Sequence, residues 1–259
     1  MKVIAVANQK GGVGKTTTCV NLSAALAAME KRVLLIDLDP QGNATVSVGL
    51  NKGELKATSF ELLVDQQPLS EVVTPLETLS MDCVPADGDL TAAEVALLSL
   101  EDREQRLKSA LTAGKDSYDF VIIDCPPSLN MLTLNALVAA DSVLIAMQCE
   151  YFALEGLSAL METISTVTQS VNPSLRIEGI LRTLYDPRNA LTGEVSEQLH
   201  QHFEGLVYRT VIPRNVRLAE APSHGVPGIV YDRLSRGSTA YMALAGEFMR
   251  RQEQNKEHI

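Results

Sequence analysis

The chain has 259 residues, which fits one α/β domain with a complete hydrophobic core. Hydrophobic residues make up 46% of it, which argues against disorder. Tryptophan is absent and aromatic residues reach only 4%, so the core must be aliphatic. The formal net charge of −10 argues against a surface coated with basic residues for nucleic acid, although it leaves room for a local basic patch.

Cysteine usage and the N-terminus bear on the compartment. The four cysteines are scattered and form no CxxC pair, so reduced thiols are expected rather than a disulfide framework or a zinc site. The N-terminal apolar run is too short for a signal peptide, and no stretch approaches the roughly 18 apolar residues that span a bilayer. These features predict a soluble, cytoplasmic protein.

Apolar runs and helical spacing predict strands and helices that alternate along the chain. The predicted strands are Val3–Ala7, Arg32–Leu38, Leu79–Pro85, Asp119–Asp124, Ser142–Gln148, Arg176–Leu184 and Val207–Val211. The predicted helices are Lys15–Met29, Thr58–Val64, Leu90–Leu100, Glu101–Ala113, Leu129–Ala139, Leu154–Val171, Glu194–Phe203, Val216–Ala221 and Gly237–Arg250. The polar tail Gln252–Ile259 is expected to fray. This order predicts one doubly wound α/β domain over residues 1–259, with a mostly parallel sheet, helices on both faces and a ligand at the carboxyl ends of the strands.

A glycine-rich segment, Gln9–Thr17, joins the first predicted strand to the first predicted helix. It ends in Gly-Lys-Thr, as the phosphate-binding P-loop does in this strand–loop–helix context. Glycines let backbone N–H groups approach phosphates, and a helix N-terminus adds partial positive charge. Lys15 is predicted to contact the β- and γ-phosphates, Thr16 to bind Mg²⁺ and Thr17 to contact the α-phosphate. The predicted nucleotide-binding residues of the loop are Gly11, Gly12, Val13, Gly14, Lys15, Thr16 and Thr17.

The loop departs from the standard pattern, because Gln9 replaces its first glycine and Lys10 is an additional lysine. The sequence KGGVGKTT resembles the deviant Walker A motif of the ParA/MinD ATPase family. This resemblance covers essentially the whole chain and implies a P-loop NTPase fold, ATP and Mg²⁺ as cofactors, and slow ATP hydrolysis. It also implies that Lys10 crosses the interface of an ATP-bound homodimer and acts on the partner's phosphates like an arginine finger. The alternative is a glycine-rich turn with an exposed lysine.

Carboxylates follow two of the predicted strands. Asp37 and Asp39 stand in the segment DLDPQGN, and their spacing puts both on one face of the strand. In the resembling family this segment faces the γ-phosphate, so Asp39 is predicted to orient the attacking water and the metal. The alternative is that Asp39 merely opens a turn. Asp124 ends an apolar strand in the Walker B pattern, and Thr16, Asp39 and Asp124 are the predicted Mg²⁺ residues. The predicted catalytic residues are Lys10, Lys15 and Asp39.

Two further segments resemble the family. Val211–Asn215 resembles the segment that packs on adenine, and Pro213 and Asn215 are carried over from it. Residues 176–236 contain eight arginines and no lysine. Among them, Arg188 and Arg217 lie in segments that line a nonspecific DNA-binding face in the chromosome-partitioning ParA branch, often called Soj. The alternative is that both are ordinary surface arginines paired with neighbouring acids.

Three kinds of relative within the family carry features that this sequence does not show. A MinD-type ATPase would end in a basic amphipathic helix, and the tail lacks large apolar residues until Ile259. The cysteines do not suit the iron–sulfur cluster of a nitrogenase iron protein, and a P-loop at residue 9 leaves no N-terminal helix-turn-helix. The resemblance therefore implies a short ParA/Soj ATPase whose ATP-bound dimer binds DNA in the nucleoid and whose hydrolysis a ParB-like partner stimulates, with no membrane contact. The alternative is a positioning or regulatory ATPase that does not bind DNA.

Overall fold

The computed structural model describes residues 1–114 and 116–257, in which eight strands form one sheet. Strands β1 to β8 span Lys2–Ala7, Val33–Asp37, Thr74–Leu76, Met81–Val84, Phe120–Asp124, Ser142–Gln148, Arg176–Tyr185 and Val207–Pro213. Their order in the sheet is β3-β4-β2-β5-β1-β6-β7-β8. Every pairing is parallel except that of β3 with β4 at one edge. The predicted mostly parallel α/β sheet is confirmed.

Helices α1 to α11 connect these strands. They span Lys15–Ala27, Asn43–Ser47, Leu69–Val72, Leu90–Leu98, Arg106–Ala113, Met131–Ala139, Ala153–Ser170, Ala190–His202, Val216–Glu220, Gly228–Tyr231 and Arg236–Glu257. None of the helices within the described residues is long and apolar enough to cross a membrane.

The sheet is buried on both faces, which explains its continuous apolar strands. Along β1, Ile4 and Val6 enter one hydrophobic cluster, while Val3 and Ala5 enter the other. The first cluster lies under α1 and α11, and the second lies under α4 to α8. This alternation follows from the two-residue period of side chains in a strand, and it confirms helices on both faces of the sheet.

Several local predictions differ from the structure. The edge strand β3 was not predicted, because it has only three residues and contains Pro75, which lacks an N–H for a sheet ladder. The segment predicted as the helix Thr58–Val64 is helical over residues 59–65, but its part Glu61–Asp65 is a π-helix rather than an α-helix. The fifth helix begins at Arg106 rather than Glu101, because residues 101–105 form turns.

The predicted fraying from Gln252 is wrong for the part of the tail that the structure describes. Helix α11 continues to Glu257, well beyond the predicted end at Arg250. Gln252 is buried, and its Nε2 donates a hydrogen bond of 2.7 Å to Oε1 of Glu178. The first residue of the predicted tail is therefore packed against a buried carboxylate. The end of the predicted tail, residues 258–259, lies outside the described residues.

Candidate nucleotide-binding site

The candidate site lies at the carboxyl ends of β1, β2 and β5. In the parallel pairing of β2 with β5, Asp37 stands directly opposite Asp124, and Val6 of β1 is the other neighbour of Asp124. The chain leaves β1 for β2 on one side of the sheet and leaves β5 for β6 on the other. Such a reversal opens a crevice at the strand ends, which is where open α/β sheets bind ligands.

The loop between β1 and α1 presents an open helix N-terminus to this crevice. Gly12 and Gly14 have positive φ angles of 72° and 85°, a left-handed backbone that glycine adopts without strain. A Cβ atom on Gly11 or Gly12 would meet nothing within 4 Å. No side chain caps the first turn of α1, and no acidic residue lies in it. The free N–H groups and the helix dipole therefore favour an anion here.

Hydrogen bonds to other strands hold the loop in place. Oγ1 of Thr183 donates a hydrogen bond of 2.6 Å to the Val13 carbonyl. Nδ2 of Asn8 donates one of 2.8 Å to the Ala146 carbonyl, while its Oδ1 accepts one of 2.9 Å from the Lys10 N–H. Asn8 and Thr183 were not among the predicted site residues. Asn8 stands next to the motif and was detectable in the sequence, whereas Thr183 lies far along the chain and carries no local signal.

The two lysines of the loop occupy different environments. Lys15 is buried, and its Nζ lies 3.2 Å from the Lys10 carbonyl oxygen, so its ammonium group stays beside the loop backbone. Lys10 is exposed, and its ammonium pairs with the carboxylate of Glu150, which follows β6. Glu150 was not predicted, because nothing in the sequence links two residues so far apart.

Asp37 and Asp39 perform separate tasks. The buried Asp37 carboxylate accepts two hydrogen bonds of 2.8 Å from the N–H and the hydroxyl of Thr45, and one of 3.1 Å from the Asp39 N–H. Burial raises the pKa of Asp37 to about 6, although these hydrogen bonds lower it. Asp39 opens a turn, because its carbonyl accepts a hydrogen bond of 2.7 Å from the Gly42 N–H. Asp37 thus anchors the segment that carries Asp39 at the site.

Asp124 is buried and incompletely satisfied. The Cys19 thiol makes a weak 3.5 Å contact with its Oδ1, while Oδ2 has no hydrogen-bond partner among the described residues. Burial, and then the nearby charge of Asp37, raise the pKa of Asp124 to about 8. A buried carboxylate oxygen without a partner fits a cation, and Mg²⁺ usually takes one or two carboxylates together with phosphate oxygens. Asp39 and the half-buried Thr16 lie close enough to act on it, because the Thr16 hydroxyl lowers the pKa of Asp124 and the charge of Asp39 raises it.

A small pocket adjoins the loop on the β8 side. It is lined by Gly14, Thr17, Thr183, Ile212, Pro213 and Asn215, among others. Pro213 ends β8, and Asn215 caps α9, since its Oδ1 accepts a hydrogen bond of 3.2 Å from the Leu218 N–H. The fold thus brings the two predicted adenine residues next to the predicted phosphate residues Gly14 and Thr17.

Comparison with known proteins decides the family. Residues 1–177 match a family model described as an AAA domain. The chain is 52% identical to the sporulation initiation inhibitor protein Soj of Bacillus subtilis (strain 168), covering 95% of this chain and 97% of that protein. It is 50% identical to the chromosome partitioning protein ParA of Myxococcus xanthus (strain DK1622), covering 96% of this chain and 88% of that protein. The chain belongs to the ParA/Soj family of chromosome-partitioning ATPases.

Solved structures agree with the predicted fold. A structure described as cobyrinic acid a,c-diamide synthase from Mycobacterium smegmatis, with bound ADP and magnesium, is 39% identical. It superposes with a TM-score of 0.86 and covers 98% of this chain and 96% of that one. The cell division ATPase MinD from Pyrococcus furiosus has a TM-score of 0.78 at 23% identity, which shows the shared fold alone. The predicted P-loop ATPase fold and the resemblance to the ParA/Soj family are both confirmed.

In this ParA/Soj chain the two arginines predicted to contact DNA are exposed and paired with acids. The Arg188 side chain is 87% exposed and donates to both carboxylate oxygens of Asp186, at 2.9 and 2.7 Å. The Arg217 side chain is 53% exposed and forms ion pairs of 2.9 Å with Glu220 and 3.4 Å with Asp232. The pairing with neighbouring acids that the alternative predicted is therefore present. Both guanidinium groups nevertheless remain accessible.

The remaining arginines of this region do not all share that exposure. Arg182 is buried in β7, where it donates to the Ser196 hydroxyl at 2.7 Å and to the Tyr208 carbonyl at 2.8 Å. Its guanidinium therefore ties β7 to α8 and β8. A count of arginines in the sequence cannot separate such a structural residue from a surface one.

Proposed function

We propose that this chain is an ATP-dependent partitioning switch. It binds ATP and Mg²⁺ at the Lys10–Thr17 loop, forms a sandwich dimer in the ATP state, binds DNA nonspecifically as a dimer and hydrolyses ATP. A ParB-like partner stimulates the hydrolysis and so releases the DNA. The observation that carries the proposal is the position of Lys10, an exposed extra lysine in a loop whose other functional lysine, Lys15, is buried.

Nucleotide binding follows from the elements around the loop. The N–H groups at the open start of α1 and the Lys15 ammonium accept the β- and γ-phosphates, as in other P-loop sites. Pro213 packs on the adenine. Asn215 offers its amide to the base edge, because its carbonyl oxygen already holds the start of α9. Both residues line the pocket next to Gly14 and Thr17, so one nucleotide spans the loop and the pocket.

Magnesium completes the site. Thr16, Asp39 and Asp124 would hold it, directly or through water, and the unpartnered Oδ2 of Asp124 supports this assignment. Mg²⁺ bound there would neutralise negative charge that develops on the phosphates.

Hydrolysis requires positioning and charge compensation more than a strong base. Asp39 orients the attacking water, and Asp37 fixes the Asp39 backbone through a 3.1 Å hydrogen bond. Lys10 supplies positive charge to the nucleotide of a second copy. In its own chain, Lys10 pairs with Glu150, away from the buried Lys15, so the group is free to exchange one carboxylate for another chain's phosphates. An isologous two-fold dimer would complete both sites at once.

DNA binding follows from the dimer rather than from the net charge. A two-fold arrangement doubles the exposed arginines Arg188 and Arg217 on one side of an otherwise acidic molecule. Each guanidinium forms planar paired hydrogen bonds with a phosphate, in competition with the neighbouring carboxylates. Such contacts carry no base information, so binding is nonspecific and steeply salt-dependent. The resulting location is the nucleoid region of the cytoplasm.

A mobility-shift experiment tests the proposal. The chain is mixed at low salt with a duplex of arbitrary sequence, in Mg²⁺ with either ATP or ADP, and we expect a shift only with ATP. Arg217→Ala should weaken this shift. Arg103→Ala is the matched control, because Arg103 is also a half-exposed arginine in an ion pair with a neighbouring glutamate. No ATP-dependent shift of the wild type would reject DNA binding and favour the alternative, a positioning ATPase that does not use DNA.

A further inference from the structure

Two glycine backbones meet directly between the end of α2 and the turn that follows α9. Gly49 and Gly225 have positive φ angles of 90° and 64°. A Cβ on Gly49 would lie 2.9 Å from the Gly225 carbonyl oxygen. A Cβ on Gly225 would lie 3.0 Å from the Gly49 Cα. No side chain separates the two segments, so neither backbone has room to approach further, and a shift of one must displace the other.

On one side, this contact is tied to the predicted catalytic carboxylate. Helix α2 begins at Asn43, four residues after Asp39, and Thr45 of α2 donates two hydrogen bonds to Asp37. The Thr45 hydroxyl also accepts a hydrogen bond of 2.8 Å from the Ala86 N–H. The Asp37–Asp39 segment and α2 are therefore held as one unit, which ends at Gly49. A change in the backbone at Asp39 would therefore be passed to that end.

On the other side, the contact is tied to Arg217. Helix α9, Val216–Glu220, runs directly into the 3₁₀ turn Ala221–His224, and the Ala221 N–H is bonded to the Arg217 carbonyl. Gly225 closes this turn, with its N–H bonded at 3.1 Å to the Pro222 carbonyl. Residues 216–225 thus form a short continuous rod with Arg217 near one end and Gly225 at the other.

Leu218 is a tightly packed residue of this rod. A Cβ on Gly228 or on Gly237 would lie 2.5 Å from a methyl carbon of Leu218, so the side chain fills the space between these two backbones completely. Leu218 follows Arg217 directly, while Gly225 lies at the far end. A displacement at Gly225 would tilt the rod about the tightly packed Leu218 and so change where the Arg217 guanidinium points.

We propose that the Gly49–Gly225 backbone contact transmits the nucleotide state sensed at Asp39 to Arg217, and so sets the affinity for DNA. The inference rests on the proposed function, because it takes Asp39 to respond to the γ-phosphate and Arg217 to bind DNA. By linkage, DNA raises the affinity for ATP by the same factor by which ATP raises the affinity for DNA.

The test compares two glycine-to-alanine substitutions at positions that both have a positive φ angle. Gly225→Ala puts a methyl group into the contact. Gly205→Ala is the matched control, because Gly205 also has a positive φ, 79°, but a Cβ there would meet no atom of the described residues within 4 Å. Affinity for a fluorescent duplex is measured by anisotropy with Mg²⁺-ATP and with Mg²⁺-ADP, and ATP affinity is measured by calorimetry.

The readout is the ratio of the two DNA affinities. We expect Gly205→Ala to keep the wild-type ratio within about twofold, and Gly225→Ala to lower it about tenfold while it still binds ATP. A wild-type ratio in Gly225→Ala would overturn the proposal.

Hydrogen exchange of the wild type gives a second readout that needs neither DNA nor a variant. When ADP is replaced by ATP, exchange should change both in residues 43–49 and in residues 221–226. A change confined to 43–49 would overturn the proposal, even if Gly225→Ala fails to fold. If the wild type binds DNA equally in both nucleotide states, the proposed DNA function fails, and exchange alone then decides whether the segments are coupled.

Discussion

The candidate nucleotide site at the carboxyl ends of the strands and the surface that carries Arg188 and Arg217 differ in whether their charged groups already have partners. At the nucleotide site, Lys15, Asp37 and Asp124 are buried, and Oδ2 of Asp124 has no hydrogen-bond partner in the described part of the chain. On the surface, Arg188 and Arg217 are exposed and already paired with acids. A buried, unsatisfied carboxylate is completed by a ligand, whereas an exposed ion pair is complete until something displaces it. One chain therefore carries the buried residues of the candidate nucleotide site, while the proposed DNA binding and the proposed contact of Lys10 with a second nucleotide need two chains.

The largest expected effect concerns Lys10. Lys10→Ala should lower the turnover number about 10³-fold, because charge compensation on the transferred phosphoryl group is lost. Its affinity for ATP should stay within a few-fold of wild type, since Lys15 and the loop amides remain. Phosphate release and calorimetry measure the two quantities. Lys108→Ala, at an exposed position on α5, is the control, and wild-type turnover in Lys10→Ala would refute the assigned role.

The second largest expected effect concerns Asp124 and the stabilisation of the protein by Mg²⁺-ATP. Mg²⁺-ATP at 100 times its Kd should stabilise the wild type by about 2.7 kcal/mol, a rise in Tm of roughly 5–10 °C. Asp124→Asn should lose most of this rise. Without ligand it should unfold within about 1 kcal/mol of wild type, because the amide removes a poorly solvated carboxyl group rather than a satisfied one.

Thermal unfolding with and without Mg²⁺ measures this difference. Asp119→Asn serves as the control, because Asp119 immediately precedes the same strand and pairs with the exposed Arg32 at the opposite end of the sheet. A Mg²⁺-ATP response of Asp124→Asn equal to that of wild type would remove Asp124 from the metal site.

A smaller effect is expected on the surface that carries Arg188 and Arg217. Arg188→Ala should weaken DNA binding about equally for all DNA sequences. The slope of log K for DNA binding against log salt concentration is negative, and its magnitude should fall by about 1 for each arginine that the dimer loses. Arg176→Ala is the control, because Arg176 is exposed at the amino end of β7, the strand whose carboxyl end leads to Arg188. A loss that depends on base sequence, or an unchanged slope, would contradict a phosphate contact.

The smallest expected effect concerns the ion pair between Lys10 and Glu150. Glu150→Gln frees Lys10 from its exposed partner, so less ATP should be needed for dimerisation. The half-saturating ATP concentration should fall by about two- to fivefold, the range expected for an exposed ion pair. Light scattering during an ATP titration measures this. An increase would mean that Glu150 supports the dimer rather than restrains Lys10.

The sequence predicts the interior of the molecule better than its edges. Strand β6 is predicted residue for residue, because a strand buried on both faces shows an unbroken apolar run. The edge strand β3 and the continuation of α11 depend on contacts with distant segments, such as that of Gln252 with Glu178, and no local pattern reports them.

The candidate site divides in the same way. The loop, Asp39 and Asp124 are visible because each follows a buried strand in a fixed local pattern. Thr183, Glu150 and Thr45 support them from other parts of the chain, and their roles depend on tertiary geometry. Asp37, which the sequence pairs with Asp39, turns out to anchor the start of α2 through Thr45.

A complementation assay tests most directly the claim that two chains are needed. Lys10→Ala and Asp39→Ala are each expected to be inactive alone, since one lacks the donated lysine and the other lacks the water-orienting carboxylate. Mixed in equal amounts with ATP, half of the dimers combine both chains, and each such dimer holds one complete site. We predict about a quarter of the wild-type rate. A mixture as inactive as its components would show that Lys10 does not act on the partner's nucleotide.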